Sequence, residues 1–262
     1  MIANYHTHTY RCNHAQGTEE EYVISALERG MDVLGFSDHT PYPDDNHGRM
    51  AYADLPVHFA EVDRLKRKYA SRLIIRKGLE IEYLPRYRDF YEELLAVRKL
   101  DYLLLGEHFY PCGNEAPLLM DAKSTEENIL YAKSIREALK TGYFLMLAHP
   151  DLFAMNPFAW DENCERASDI ILDAAAETDT VLEYNANGYR RGIHPYPDGK
   201  RYMYPHPRFW EKAFGSGIRV IIGADAHEPS QVWDEQMIQA RTALRGLGIE
   251  PLTDLESCLP AR

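Results

Sequence analysis

The sequence predicts an α/β fold built on a parallel sheet, and three observations carry that expectation. Short apolar runs rich in β-branched and aromatic residues alternate with longer segments of helical periodicity. Seven runs alternate with seven helical segments, the pattern of strands joined by crossover helices. Residues able to bind metal follow nearly every run at its C-terminal end. No internal repeat, low-complexity stretch or interdomain linker interrupts the 262 residues, so one domain over residues 1–262 is expected.

In chain order the expected strands are Ile2–Tyr5, Val33–Ser37, Leu73–Ile81, Tyr102–Leu105, Phe144–Ala148, Val181–Tyr184 and Arg219–Ala224. Thr18 followed by Glu21 reads as a capping box opening the first helix, which Gly30 ends. Ser124 with Glu127 repeats the device, and Gly142 stops that helix. Within it Ile129, Ala132, Ile135 and Leu139 recur at spacings of three and four, marking a buried face. Leu55–Tyr69, Arg88–Lys99, Asp161–Ala176, Pro207–Phe214 and Gln231–Leu247 are the remaining expected helices. Periodicity leaves both an open sheet and a closed barrel available.

Composition narrows the function. A formal charge of -12 argues against a nucleic-acid backbone as the main partner, because such binding needs a basic surface. No apolar run reaches the roughly 18 residues of a membrane span, and Met1–His6 lacks the features of a signal peptide. A cytoplasmic protein without a membrane partner is expected. Cys12, Cys112, Cys164 and Cys258 form no CxxC pair, which suits reduced thiols and offers no thiolate zinc site.

The polar residues after the strands point to chemistry. His6, His8 and His14 follow the first, Ser37-Asp38-His39 the second, and Glu80 lies in the third. His108, His149 and the Asp225/His227 pair follow the fourth, fifth and seventh. In a barrel such positions converge on one face. His6 and His8, two apart on extended backbone, point the same way and can grip one ion. Imidazole and carboxylate without thiolate suit Zn, Mn or Fe. Nine candidate ligands exceed the needs of one ion, so two or three divalent ions are expected, with Glu80 or Asp225 able to bridge. Clustered ions supply a nucleophile at neutral pH and neutralise a phosphoryl group. A small phosphate ester is the expected substrate, with Arg190 and Arg191 as its guanidinium clamp.

Plainer readings stand beside these. A single histidine is more often structural than a ligand, and it is the shared placement after strands that shifts the balance. Glu82 has the parity of Glu80 and competes with it. Asp38, Glu107 and Asp151 read equally as partners orienting imidazoles and as solvated charges. His47, His58, His194 and His206 do not follow strands and read as surface or packing residues, the last two also as residues that line the pocket.

Taken together, His6-x-His8, His14, Ser37-Asp38-His39, Glu80, His108, His149 and Asp225-x-His227 resemble the motifs of the polymerase and histidinol phosphatase (PHP) superfamily. Within it the chain resembles the histidinol-phosphate phosphatases of PHP type. Asn4–Pro43, Glu183-x-Asn185-x-x-Gly188-x-Arg190 and Tyr204-Pro205-His206-Pro207 extend the likeness over nearly the whole chain. The resemblance implies a distorted (β/α)7 barrel of PHP type with a trinuclear site. His6, His8, Glu80 and Asp225 would hold one ion; Glu80, His108 and His149 a second; His14, His39 and His227 the third. It also implies hydrolysis of L-histidinol phosphate, with Arg190 receiving the phosphate and Asp225 or His227 assisting departure of the alcohol. Glu107, where a small residue or valine is commoner, and the Asn187 and Arg191 variants depart from the pattern. The alternatives are another small phosphate monoester or nucleotide as substrate, and a metal-binding module without turnover.

Overall fold

The computed structural model describes residues 1–44, 49–112 and 116–259; His47 lies outside them. Seven parallel strands form one sheet in the order β1 (Ala3–Asn4), β2 (Val33–Phe36), β3 (Ile74–Ile81), β4 (Tyr102–Leu105), β5 (Met146–Leu147), β6 (Val181–Asn185) and β9 (Val220–Gly223). Between β6 and β9 the chain inserts an antiparallel hairpin, β7 (Ile193–Tyr196) and β8 (Gly199–Tyr202). Just past the strand ends Thr7 bridges Ala226 in parallel register. His8 N–H donates to the Ala226 carbonyl at 2.9 Å, and Ala226 N–H to the His6 carbonyl at 3.2 Å. The sheet is thereby nearly closed into a barrel, which settles the choice that periodicity left open.

Strand alternation sorts side chains between two apolar layers. On β4, Tyr102 and Leu104 face the barrel interior with Ala3, Tyr5, Val33, Met146, Val181 and Ile221. Leu103 and Leu105 face outward into the larger layer beneath the helices. Tyr102 fills the interior because Gly35 and Gly78 leave room: a Cβ at either would strike its ring or hydroxyl. Its hydroxyl lies 2.7 Å from the Tyr5 carbonyl and 3.0 Å from that of Phe36.

The helices are α1 (Glu19–Glu28), α2 (Leu55–Lys68), α3 (Arg88–Glu92), α4 (Glu126–Leu139), α5 (Glu162–Thr178), α6 (Asn187–Arg190), α7 (Pro207–Ala213) and α8 (Glu235–Gly246). The Thr18/Glu21 capping box forms at α1. At α4 only half of it forms. Glu127 accepts from the Ser124 N–H at 2.9 Å, but Thr125 occupies the cap position without a side-chain bond to the helix backbone. The helix expected over Arg88–Lys99 is α3 followed by a π-helical turn at Glu93–Val97. That expected from Gln231 starts at Glu235, where Asp234 caps it. Hairpin β7–β8 and α6 were not expected. Gly192, Pro195, Pro197 and Gly199 punctuate this stretch, and neither strand buries a residue, so it carries no apolar stripe.

No helix among the described residues is long and apolar enough to cross a membrane.

Candidate metal centre

Because the strands are parallel, the residues just past their C-terminal ends meet at one mouth. His6 and His8 leave β1 with their Nε2 atoms 3.1 Å apart. The carboxylates of Glu80 and Asp225 flank that pair. Glu80 lies 3.5 Å from His6 Nε2 and 3.4 Å from His8 Nε2; Asp225 lies at 3.5 and 3.2 Å. On its other sides Glu80 meets His149 Nε2 and His39 Nδ1, each at 2.9 Å, and His108 Nε2 at 3.8 Å. His14, His39 and His227 form a further group at the open edge, with the His14 ring 5.2 Å from that of His39 and 5.1 Å from that of His227. All nine expected ligand residues therefore come together. The donor atoms of all but His108 fall into overlapping groups, each compact enough for one ion, among them His6/His8/Asp225, His6/Glu80/His149 and His14/His39/His227.

Buried carboxylates that the sequence pattern did not assign to the cluster hold it in place. Glu183, facing inward on β6, accepts from His6 Nδ1 at 2.8 Å and the His149 N–H at 3.0 Å. Glu82 lies 2.9 Å from His108 Nδ1 and 2.5 Å from an Arg49 amine. So Glu80 and Glu82, which parity alone could not separate, divide the work: one faces the imidazoles, the other orients His108 from behind. Asn187 and Asn185 donate to Asp225 at 3.0 and 3.3 Å. Inward parity on β3 and β6 was the signal for Glu82 and Glu183. Gly106 completes the fit, since a Cβ there would overlap the Glu80 carboxylate. His149 and Asp225 adopt left-handed backbone, φ 30° and 46°, a strained conformation for such residues that aims both side chains at the cluster.

The electrostatics follow from burial set against proximity. Burial lowers the basicity of His6, but Glu183, Asp225 and Glu80 outweigh it and hold the imidazole well above its ordinary range. His8, buried beside His39 and His227, is driven well below it. Burial alone would raise Glu80; the imidazoles of His39, His6 and His149 hold it well below the usual carboxylate range.

Asp38, Glu107 and Asp151 fit neither reading offered for them. All three are buried, and among the described residues none accepts a hydrogen bond from a clustered imidazole. Asp38 accepts from the Thr9 N–H and hydroxyl at 2.7 and 3.0 Å, tying the first loop to the second. Asp151 accepts from the His206 N–H at 2.5 Å and Trp210 Nε1 at 3.1 Å. Burial, with Glu82 beside it, pushes Glu107 up to about 8. His58 is a packing residue that also meets a charge. Fully buried, it approaches Glu19 through Nδ1 at 2.9 Å. His206 stacks on Trp160 with ring centres 4.0 Å apart, and His194 lies 2.8 Å from the Arg191 carbonyl; neither lines the cavity.

A cavity of about 1050 Å³ opens over the cluster. Leu84, Phe109, Leu118, Met120, Leu152 and Met155 give it an apolar side, and Arg190 and Arg191 both line it. The arginines differ in their commitments. Arg190 is bidentate to Asp234, at 2.7 and 3.0 Å, and donates to the carbonyls of Ala224 and Gln231 at 2.5 and 3.2 Å. Arg191 makes one side-chain bond, from Nε to the Tyr204 hydroxyl at 3.1 Å. Among the described residues its terminal amines have no partner.

The donor set suits divalent cations. The buried Nδ1 atoms of His8 and His149 and Oε2 of Glu80 lack a well-formed hydrogen bond, and two imidazole nitrogens face each other between two carboxylates. Unpaired buried donors and acceptors are costly unless something binds them. Fold and cluster together define a parallel α/β barrel with groups of histidines and carboxylates fit to bind metal at its mouth.

Comparison with known proteins gives that class a family. Residues 4–187 match the PHP domain, and the chain belongs to that family. It is 30% identical over 239 residues to the probable histidinol-phosphatase of Deinococcus radiodurans, covering 88% of each chain. With the histidinol-phosphatase of Bacillus subtilis it shares 25% identity over 259 residues, covering 87% of this chain and 94% of that one. Among solved structures it resembles the histidinol phosphate phosphatase of Lactococcus lactis subsp. lactis, complexed with zinc, L-histidinol and phosphate. The TM-score is 0.73 at 17% identity, covering 96% of this chain and 95% of that one.

Proposed function

We propose that this protein is a metal-dependent phosphoric monoester hydrolase that converts L-histidinol phosphate to L-histidinol and phosphate. The observation that carries the reading is the convergence of seven imidazoles and two carboxylates beneath a cavity with an arginine whose terminal amines are unspent. Relatives named histidinol-phosphatase that match along nearly their whole length supply the substrate. In this reading the 262 residues form one domain, working in the cytoplasm on a small molecule.

Two or three divalent ions, Zn, Mn or Fe, are the proposed cofactors. His6, His8, Glu80 and Asp225 would hold one ion; Glu80, His108 and His149 a second; and His14, His39 and His227 a third. Bound ions supply Lewis acidity, which activates water and neutralises phosphoryl charge. The chain's own residues do the rest. Glu183 and Glu82 fix the tautomers and planes of His6 and His108. Asn185 and Asn187 keep the Asp225 carboxylate turned to the cluster, where Asp225 or His227 would take the proton released by the attacking water and return it to the departing alkoxide. Arg190, expected from the resemblance to receive the phosphate, has its guanidinium engaged by Asp234. We therefore give it the role of holding the corner between α6 and α8, and give Arg191 the phosphoryl oxygens. The apolar side of the cavity shields the organic end of the substrate from water.

The test is a comparison of kcat/KM for L-histidinol phosphate, a nucleoside monophosphate and a hexose phosphate on the same metal-loaded preparation. The reading requires histidinol phosphate to lead by at least about tenfold, the discrimination that about 1.4 kcal/mol provides. Equal rates, or a lead for either rival, would assign the site to another phosphate monoester.

A further inference from the structure

Tyr204 enters the cavity from the segment that follows hairpin β7–β8. Its side chain is almost fully buried, yet it lines the cavity, with its ring centre 6.5 Å from that of His149. Its hydroxyl accepts from Arg191 Nε at 3.1 Å. A phenol offers one donor as well as acceptor capacity. Among the described residues the Tyr204 O–H has no acceptor. A buried donor left unpaired is costly, so this proton is satisfied by whatever occupies the cavity.

The placement is built in from both sides. Gly188 on α6 lies so close to Tyr204 that a Cβ there would overlap its carbonyl oxygen. The same helix ends at Arg190, whose pairing with Asp234 anchors it, and Arg191 follows directly. Arg191 thus brings its cation to the phenol while leaving the phenol's own proton free. A hydroxyl that accepts from a guanidinium is a stronger donor, since each bond in a chain polarises the next. The terminal amines of Arg191 are free beside it.

We propose that Tyr204 is a phosphate-binding residue. Its hydroxyl donates to a non-bridging phosphoryl oxygen of the substrate, and with the Arg191 amines it forms one anion cradle facing the imidazole cluster. The proposal rests on reading the site as a phosphatase.

The test uses the metal-loaded full chain, with Tyr204→Phe made in the natural sequence and in an Arg191→Ala background. Binding of inorganic phosphate is followed by calorimetry, metal content by elemental analysis, and kcat/KM with histidinol phosphate and p-nitrophenyl phosphate. Tyr204→Phe is expected to keep its metal, to weaken phosphate binding about tenfold or more in both backgrounds, and to lower kcat/KM by about ten- to a hundredfold. The factor should be the same for both substrates. Unchanged phosphate affinity would overturn the proposal. So would a loss seen only while Arg191 is present, which would make Tyr204 merely a prop for the arginine. A larger loss on the substrate with the poorer leaving group would move the hydroxyl to the leaving oxygen and equally overturn it. If the natural sequence cleaves the aryl ester but not histidinol phosphate, the substrate assignment alone falls, and Tyr204 is judged on the remaining measurements. Metal-loaded protein that binds no phosphate would overturn both.

Discussion

Glu80 receives imidazole nitrogens of His39 and His149 on its two oxygens and sits beside His6 and His8 as well. With His108 it meets five imidazoles of the cluster. Replacing it with glutamine keeps the shape and removes the charge, so Glu80→Gln is expected to bind at least one ion fewer per chain and to lose at least about 10²-fold in kcat. Elemental analysis alongside steady-state rates checks this, and full metal content with normal rates would contradict it. The two arginines should separate under alanine substitution. Arg191→Ala is expected to raise KM and the phosphate inhibition constant at least about tenfold with little change in melting temperature. Arg190→Ala strands a half-buried Asp234 and should cost about 1–3 kcal/mol in stability. Chemical denaturation of both variants distinguishes them, and reversed roles would return the phosphate to Arg190. At this scale the sequence was most legible for the nine clustered residues, because most of them follow a strand end. It was least legible for the arginines, since which guanidinium stays free depends on Asp234, 44 residues further along the chain.

Elements act here mainly by carrying loops. The turn that brings His14 toward His39 is backed by a buried chain of charges: Arg11 donates to Glu19 at 2.5 Å, and Glu19 meets His58 on α2 at 2.9 Å. Burial would raise the Glu19 carboxyl, but His58 and Arg11 outweigh it and bring it down to about 2. A carboxyl depressed in the folded state adds stability above its unfolded value, and that stability drains away as pH falls toward the folded value. Between about pH 4.5 and 2, the natural sequence should therefore lose stability more steeply than Glu19→Gln, which should already be about 3 kcal/mol weaker at pH 7. Denaturation midpoints of both proteins across that range decide the matter; parallel curves would contradict it. None of this was readable from His58 alone, which sits on an ordinary amphipathic helix. Hairpin β7–β8 escaped for another reason. It makes its bonds at a distance, through Tyr196 to the Met155 carbonyl and Arg201 to that of Ala154, and not through a local apolar pattern.

Across the whole molecule the barrel and the cluster depend on each other. Strand alternation sends Tyr102 and Leu104 into the interior, and Glu80, Glu82 and Glu183 to positions above it. The sheet then closes through His6, His8 and Ala226, at the same place where imidazoles and carboxylates gather. This arrangement was legible as alternation and as polar strand ends. Its closure was legible only through the family resemblance, because a single bridge beyond the strand termini leaves no periodic trace. Ions that bind only the folded chain stabilise it by mass action, by about 2.7 kcal/mol at a hundredfold excess over Kd. Stripping them should lower the melting temperature by several degrees, reversibly, and an unchanged temperature would contradict the ligand assignment.

The measurement that bears most directly on the central claim is phosphate release from L-histidinol phosphate by purified protein, before and after metal is removed with a chelator. The account predicts turnover that disappears with the metal and returns on adding Mn or Zn, with two to three ions recovered per active chain. Turnover that survives complete removal of metal, or no release from histidinol phosphate under any metal, would contradict it.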